Sequence, residues 1–209
     1  MSNDTVLVVA RYKEDLAWLE KVPDGIDVIV YNKGPDTPTV PRAEIVPLPN
    51  IGREADTYCQ HIIRNYTRLH KRTIFSQGDP FTHSPDFLKA LEARPTWSDF
   101  QPLTTRYLED PPIPPASVLD LHGQSGPGYT ERISCFTLDS IYFNDTEVIS
   151  FNYAAIFCVD SRIISQHARS IYKNIVAKLG SNHWVEASIC ERMWMLLFDA
   201  NSALKIPER

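Results

Sequence analysis

Gln77-Gly78-Asp79 closes a short apolar, β-branched run over 73–77, and His83 follows four residues after the aspartate. In an open α/β sheet, ligands bind outside the carboxyl ends of the strands. A carboxylate there, with an amide before it and an imidazole after it, suits a polar or phosphorylated ligand. The same residues also read as a plain turn, with Asp79 and Ser84 shaping the Pro80–Pro85 stretch and capping a helix that starts at Phe87-Leu88. Arg11 directly follows another apolar run, where its planar fork matches a diphosphate. Glu14 and Asp15 offer it an internal ion pair instead. Lys33 ends a second run, positioned either to meet phosphate or to face water. Gly52-Arg53-Glu54 opens a helix whose N-terminal amides favour anions, while Glu54 also serves as a first-turn acid complementing the dipole.

Two further groups lie near the C-terminus. His183 and Glu186 sit within one helical turn of each other. Such a pair orients a base or binds a metal; capping around Asn182 explains it equally. Glu191-Arg192 is flanked by Ile189, Met193 and Trp194, which draws one of the two charges toward the interior. A carboxylate partly withdrawn from water suits general-base work. A structural ion pair accounts for the same placement.

These residues need a scaffold, and the chain supplies strands alternating with helices. The run over 6–10 is continuously apolar, as in a strand buried on both faces. A helix is expected over 13–20, a second strand over 26–31, and a short one over 45–48 whose Pro47 marks a sheet edge. Tyr58, Ile62 and Tyr66 put one apolar stripe on a helix over 54–69. The run 73–77 is the next strand. Prolines 102, 111, 112, 114, 115 and 127 then fill 95–128, which reads as a long loop, either a lid or an extended arm for a partner. A turn and strand over 149–159 follow, then a helix from Asp160-Ser161-Arg162 to about Leu179, and a last helix over 185–200. The alternation predicts a single α/β domain over 1–209, with a mostly parallel sheet and flanking helices.

Composition narrows the function classes. The 209 residues are 43% hydrophobic and 22% charged, enough for one packed core. A net charge of −5 gives no basic footprint for nucleic acid or an anionic membrane. No stretch approaches the roughly 20 apolar residues of a membrane span. Met1-Ser2-Asn3-Asp4 lacks signal-peptide character, so the expected location is cytoplasmic. Cys59, Cys135, Cys158 and Cys190 lie far apart, as buried free thiols of a reducing compartment do. No Ser-His-Asp order, P-loop or Gly-x-Gly-x-x-Gly fingerprint is present, which argues against a hydrolase triad, an ATPase and a dehydrogenase.

The blocks Val8-Val9-Ala10-Arg11-Tyr12-Lys13-Glu14-Asp15-Leu16-Ala17-Trp18-Leu19, Tyr31-Asn32-Lys33-Gly34, Asn50-Ile51-Gly52-Arg53-Glu54, Phe75-Ser76-Gln77-Gly78-Asp79-Pro80-Phe81 and Glu191-Arg192-Met193-Trp194 resemble a family of small, functionally uncharacterised bacterial and fungal proteins. Their order also looks like the GT-A (Rossmann-like) fold of nucleotide-sugar glycosyltransferases. That likeness implies a nucleotide-sugar donor near Arg11, Arg53, Gln77 and Asp79; Lys33 is a further candidate donor contact by its own chemistry, and His83 and His183 are candidates for the rest of the pocket. It implies a carbohydrate or other hydroxyl acceptor, and Glu186 or Glu191 as the base. Gln77 stands where the first aspartate of an Asp-x-Asp metal motif belongs. Binding of Mn²⁺ or Mg²⁺ through Asp79 is therefore expected to be weak or absent, since hard cations prefer paired carboxylates. The alternative is a non-catalytic sugar- or nucleotide-binding protein, or an interaction module using the Pro-rich arm.

Overall fold

The computed structural model describes residues 3–104 and 155–179, together with 190, 191, 194, 197 and 198. Its strands are Thr5–Arg11 (β1), Ile26–Asn32 (β2), Ala43–Pro47 (β3), Arg72–Gln77 (β4), Phe100–Pro102 (β5) and Phe157–Asp160 (β6). They form one sheet in the order β3-β2-β1-β4-β6-β5. The helices are Arg53–Asn65 (α1), Phe87–Glu92 (α2), Ser161–Ile164 (α3) and Arg169–Leu179 (α4), with 3-10 turns at Ala17–Lys21 and Arg94–Thr96. Residues 190, 191, 194, 197 and 198 are helical and belong to the last helix.

The sheet is mixed. β1 pairs in parallel with β2 and with β4, and β2 with β3, so the expected strands over 6–10, 26–31 and 73–77 are parallel neighbours with β1 between the other two. β6 runs antiparallel to both β4 and β5. The mostly parallel sheet expected from strand–helix alternation thus holds for four strands. The far half departs from it in β6, which runs against the strands on either side of it.

Every residue of β1 is buried, since helices cover both faces of the sheet. Val6, Val8, Ala10, Phe75 and Phe157 face one layer, with Tyr58 and Ile62 of α1, Tyr172 and Ile175 of α4, and Trp194 and Phe198 of the last helix. Leu7, Val9, Val30 and Ile74 face the other, under Trp18, Leu19, Phe87 and Leu91. This alternation is the period-2 signature of a strand between two layers. Cys59, Cys158 and Cys190 are buried free thiols, as expected; Cys135 lies outside the described residues.

Three expected elements differ in detail. The helix over 13–20 is only the 3-10 turn Ala17–Lys21. Glu14 takes the amides of Tyr12 and Lys13, and Asp15 takes that of Ala17, so side chains replace the helical ladder. Proline does not keep all of 95–128 irregular: Pro102 ends the edge strand β5, where its missing donor costs nothing. Residues 105–128 lie outside the described residues. The helix expected from 160 to 179 breaks into α3 and α4. Asp160 caps α3 through the Arg162 amide. At the break, the hydroxyls of Tyr172 and Tyr66 donate to the carbonyls of Ile164 and His167.

Candidate functional site

The chain reverses its winding between β1 and β4: β2 and β3 lie to one side, β4 to the other. Ala10 pairs with Gln77, so Arg11-Tyr12 and Gln77-Gly78 leave the sheet side by side. Such a switch point leaves a crevice at the carboxyl ends of the strands. A cleft of about 410 Å³ opens there, lined by Arg11, Tyr12, Glu14, Lys33, Asn50, Gly52, Arg53 and Glu54. A second, of about 30 Å³, adjoins it and is lined by Arg53, Glu54, Ala55, Gln77, Ala155, Glu191 and Trp194. Arg53 and Glu54 belong to both.

Arg11 is buried and its guanidinium is engaged. Nη1 and Nη2 donate to Asp36 at 2.9 and 2.8 Å, Nη1 also to Asn32 Oδ1, and Nε to the Glu14 carbonyl. The Asp36 bond raises the Arg11 pKa, and the same bond depresses that of Asp36. The internal partner is thus Asp36, not Glu14 or Asp15 as the sequence suggested, because the 32–36 turn folds back over the end of β1. Gly34 permits this turn: a Cβ there would lie 1.7 Å from the Tyr12 carbonyl oxygen.

Lys33 neither faces water nor offers its ammonium to the cleft. It is buried, and Nζ donates to the carbonyls of Ile51 and Arg53 at 2.6 Å each and to Asp56 Oδ2 at 3.0 Å. All three donors are used. Burial lowers its pKa, against the pull of Asp56. Lys33 therefore fastens the loop that enters α1. Gly52 there has φ 61° and is pressed against Asp56 Cβ and Leu179 Cβ, each 2.9 Å from where a Cβ would stand. Arg53 has φ 50°, a left-handed backbone uncommon outside glycine.

Ala155, on the far wall of the small cleft, has φ 52°. Two of the three left-handed non-glycine residues among the described residues therefore line one cleft. Strain of this kind, about 1–3 kcal/mol each, gathers at ligand clamps and active sites. Tyr58 donates to the Ala155 carbonyl at 3.0 Å and holds that turn against α1.

The Gln77-Gly78-Asp79 motif divides. Gln77 lines the small cleft with Glu191. Asp79 is exposed, accepts the Phe81 amide at 3.0 Å in a local turn, and lines neither cleft. Gly78 has the larger structural role. A Cβ there would lie 2.6 Å from Glu14 Oε2, and its carbonyl accepts from the Trp18 indole. Ser84 does not cap α2; its hydroxyl donates to the Leu103 carbonyl. His83 sits in the 80–84 turn, with its amide on the Pro80 carbonyl. His183 and Glu186 lie outside the described residues. Among those described, no group of three or more His, Cys, Asp or Glu side chains is arranged to hold a metal.

Glu14, Asn50 and Tyr12 line the larger cleft without having been singled out by sequence as candidate contacts. The legible signal for Glu14 was Gly78, a glycine at a strand end where something must approach closely.

No helix among the described residues is long and apolar enough to cross a membrane. No curated protein matches the chain. Residues 7–102 match the model of a family described as "Protein of unknown function (DUF3431)". The resemblance to a functionally uncharacterised family thus holds over the span carrying Arg11, Lys33, Arg53, Gln77 and Asp79, while Glu191 falls beyond it.

Proposed function

We propose that the chain binds a nucleotide sugar across the two adjoining clefts and transfers its glycosyl group to a hydroxyl acceptor. One observation carries this reading. Two clefts at the β1/β4 switch point share Arg53 and Glu54, with Gln77 and Glu191 on one side and the ends of β1 and β2 on the other. The GT-A resemblance of the block order supports the same reading.

In this scheme Arg53 meets the phosphates, being the cation with an accessible head: its side chain is 47% exposed, against 7% for Arg11 and 4% for Lys33. Arg11 and Lys33 hold the walls. Glu191 takes the acceptor hydroxyl proton, with Glu186 as the other candidate base. The acceptor oxygen bonds to the anomeric carbon, and the bond from that carbon to the diphosphate oxygen breaks. Its electron pair leaves with the nucleoside diphosphate. Asp79, outside both clefts and without a second acid at Gln77, leaves donor binding independent of Mn²⁺ or Mg²⁺, or only weakly dependent.

Thermal shift against nucleoside diphosphates and nucleotide sugars, with and without Mn²⁺, tests this. At a ligand concentration of about 100 times Kd, binding adds about 2.7 kcal/mol and raises Tm by roughly 5–10 °C. No shift with any nucleotide or nucleotide sugar would overturn the proposal. A second reading, binding without turnover, is favoured by Gln77 and by the turn that occupies Asp79. It gives the same shift and no release of nucleoside diphosphate when acceptors are supplied.

A further inference from the structure

The charges lining the larger cleft are mostly spent internally. Arg11 is committed to Asp36, Asn32 and the Glu14 carbonyl, and Lys33 to Ile51, Arg53 and Asp56. Arg53 brings the one half-exposed cationic head, with Nε 3.6 Å from Glu54 Oε2, while Glu14 and Glu54 bring carboxylates. A diphosphate buried throughout this cleft would meet those carboxylates. An uncharged polyhydroxylated ring meets the same carboxylates without charge repulsion, and its hydroxyls need acceptors as well as donors.

The rim supplies the matching surface. Tyr12 and Ile51 are the exposed large hydrophobic residues among those described. Tyr12 lines the cleft, and Ile51 lies between Asn50 and Gly52, which also line it. The Lys13 ammonium lies over the Tyr12 ring at 5.1 Å from its centroid, and Tyr12 is 42% exposed. Glu14 Oε2 accepts from the Tyr12 and Lys13 amides at 2.7 and 3.0 Å, with Gly78 packed behind. A carboxylate fixed in this way is organised before the ligand arrives.

The geometry points to a pyranose subsite at the outer end of this cleft. Tyr12 supports the apolar face of the ring, and Glu14 accepts from its hydroxyls. Asn50 lines the same cleft, and Arg53, shared with the small cleft, marks the phosphate end. The subsite rests on the proposed function only for that phosphate end.

Saturation-transfer NMR and calorimetry with methyl glucoside, uridine diphosphate and uridine diphosphoglucose test it on wild type, Tyr12→Ala and Arg53→Ala. Tyr12 is exposed, so Tyr12→Ala should keep the wild-type melting temperature. We expect Tyr12→Ala to weaken a sugar-bearing ligand about tenfold and to leave uridine diphosphate unchanged. Weakening of uridine diphosphoglucose assigns the ring to the donor; weakening of methyl glucoside alone assigns it to the acceptor. Wild type showing no ring-proton transfer from either sugar-bearing ligand, or equal affinity in Tyr12→Ala, overturns the subsite. In that case nucleotide binding lost in Arg53→Ala still supports the proposed function. Methyl glucoside bound through Tyr12 without any nucleotide affinity supports the subsite and removes that reading.

Discussion

Lys33→Met is expected to be among the most damaging single changes at this end of the molecule. The ammonium holds the carbonyls of Ile51 and Arg53 and the Asp56 carboxylate, and the side chains of Lys33 and Asp56 are 4% and 6% exposed. Methionine fills similar volume but strands a buried carboxylate and leaves two carbonyls without their donor. Breaking a buried ion pair from one side costs about 3–5 kcal/mol. For a chain of this size each kcal/mol shifts Tm by about 2–4 °C, so the expected fall is roughly 6–20 °C. Circular dichroism melts and urea titrations measure it. Adding Asp56→Leu removes the stranded charge, and the double variant should recover about 2 kcal/mol of the loss, keeping a deficit of about 1–3 kcal/mol for the two carbonyls. A Lys33→Met protein within 1 kcal/mol of wild type, on the scale of an exposed pair, would refute the anchoring role.

Three other outcomes are expected. His61 is buried with Nδ1 on the Tyr31 hydroxyl, and burial lowers its pKa to about 3. Between its ordinary value near 6.5 and pH 4.5 the unfolded chain takes this proton and the folded chain does not, so stability falls with pH. The loss is about 3 kcal/mol by pH 4.5, and urea midpoints of wild type and His61→Gln should converge across that window; parallel curves would contradict it. Gly78→Ala should push the Glu14 carboxylate off its amides at a cost of about 1–3 kcal/mol, read by denaturation, and should weaken pyranoside binding. Glu191→Gln should cut turnover while sparing donor affinity, because an amide keeps the shape but cannot take the proton; retained turnover would move the base elsewhere.

The parallel half of the sheet was legible because β1, β2 and β4 are apolar runs bounded by Asn32-Lys33-Gly34 and Gln77-Gly78-Asp79, and β3 carries Pro47 at an edge. The antiparallel half was not. Phe157–Asp160 is equally apolar, and nothing in a buried run states its direction. Cleft-lining residues were singled out where a strand end or a helix start marks them, as with Arg11, Gln77 and Arg53. Their roles were less visible, since role depends on distant partners. Asp36 captures Arg11 and Asp56 captures Lys33 across 25 and 23 residues of chain, pairings that local spacing does not encode. Glu14 was missed because its ligands are backbone amides, which carry no sequence signature.

Calorimetric titration of uridine diphosphoglucose into wild type and Arg53→Ala, without metal, bears on whether the two clefts form one ligand site. Arg53 stands at their junction and its side chain is half-exposed, so the variant should melt like wild type. A lost charge-assisted hydrogen bond of about 1.5–3 kcal/mol should weaken Kd by roughly 10- to 100-fold. Equal affinity in the two proteins, or no binding by wild type, would contradict a nucleotide-sugar site at the β1/β4 switch point.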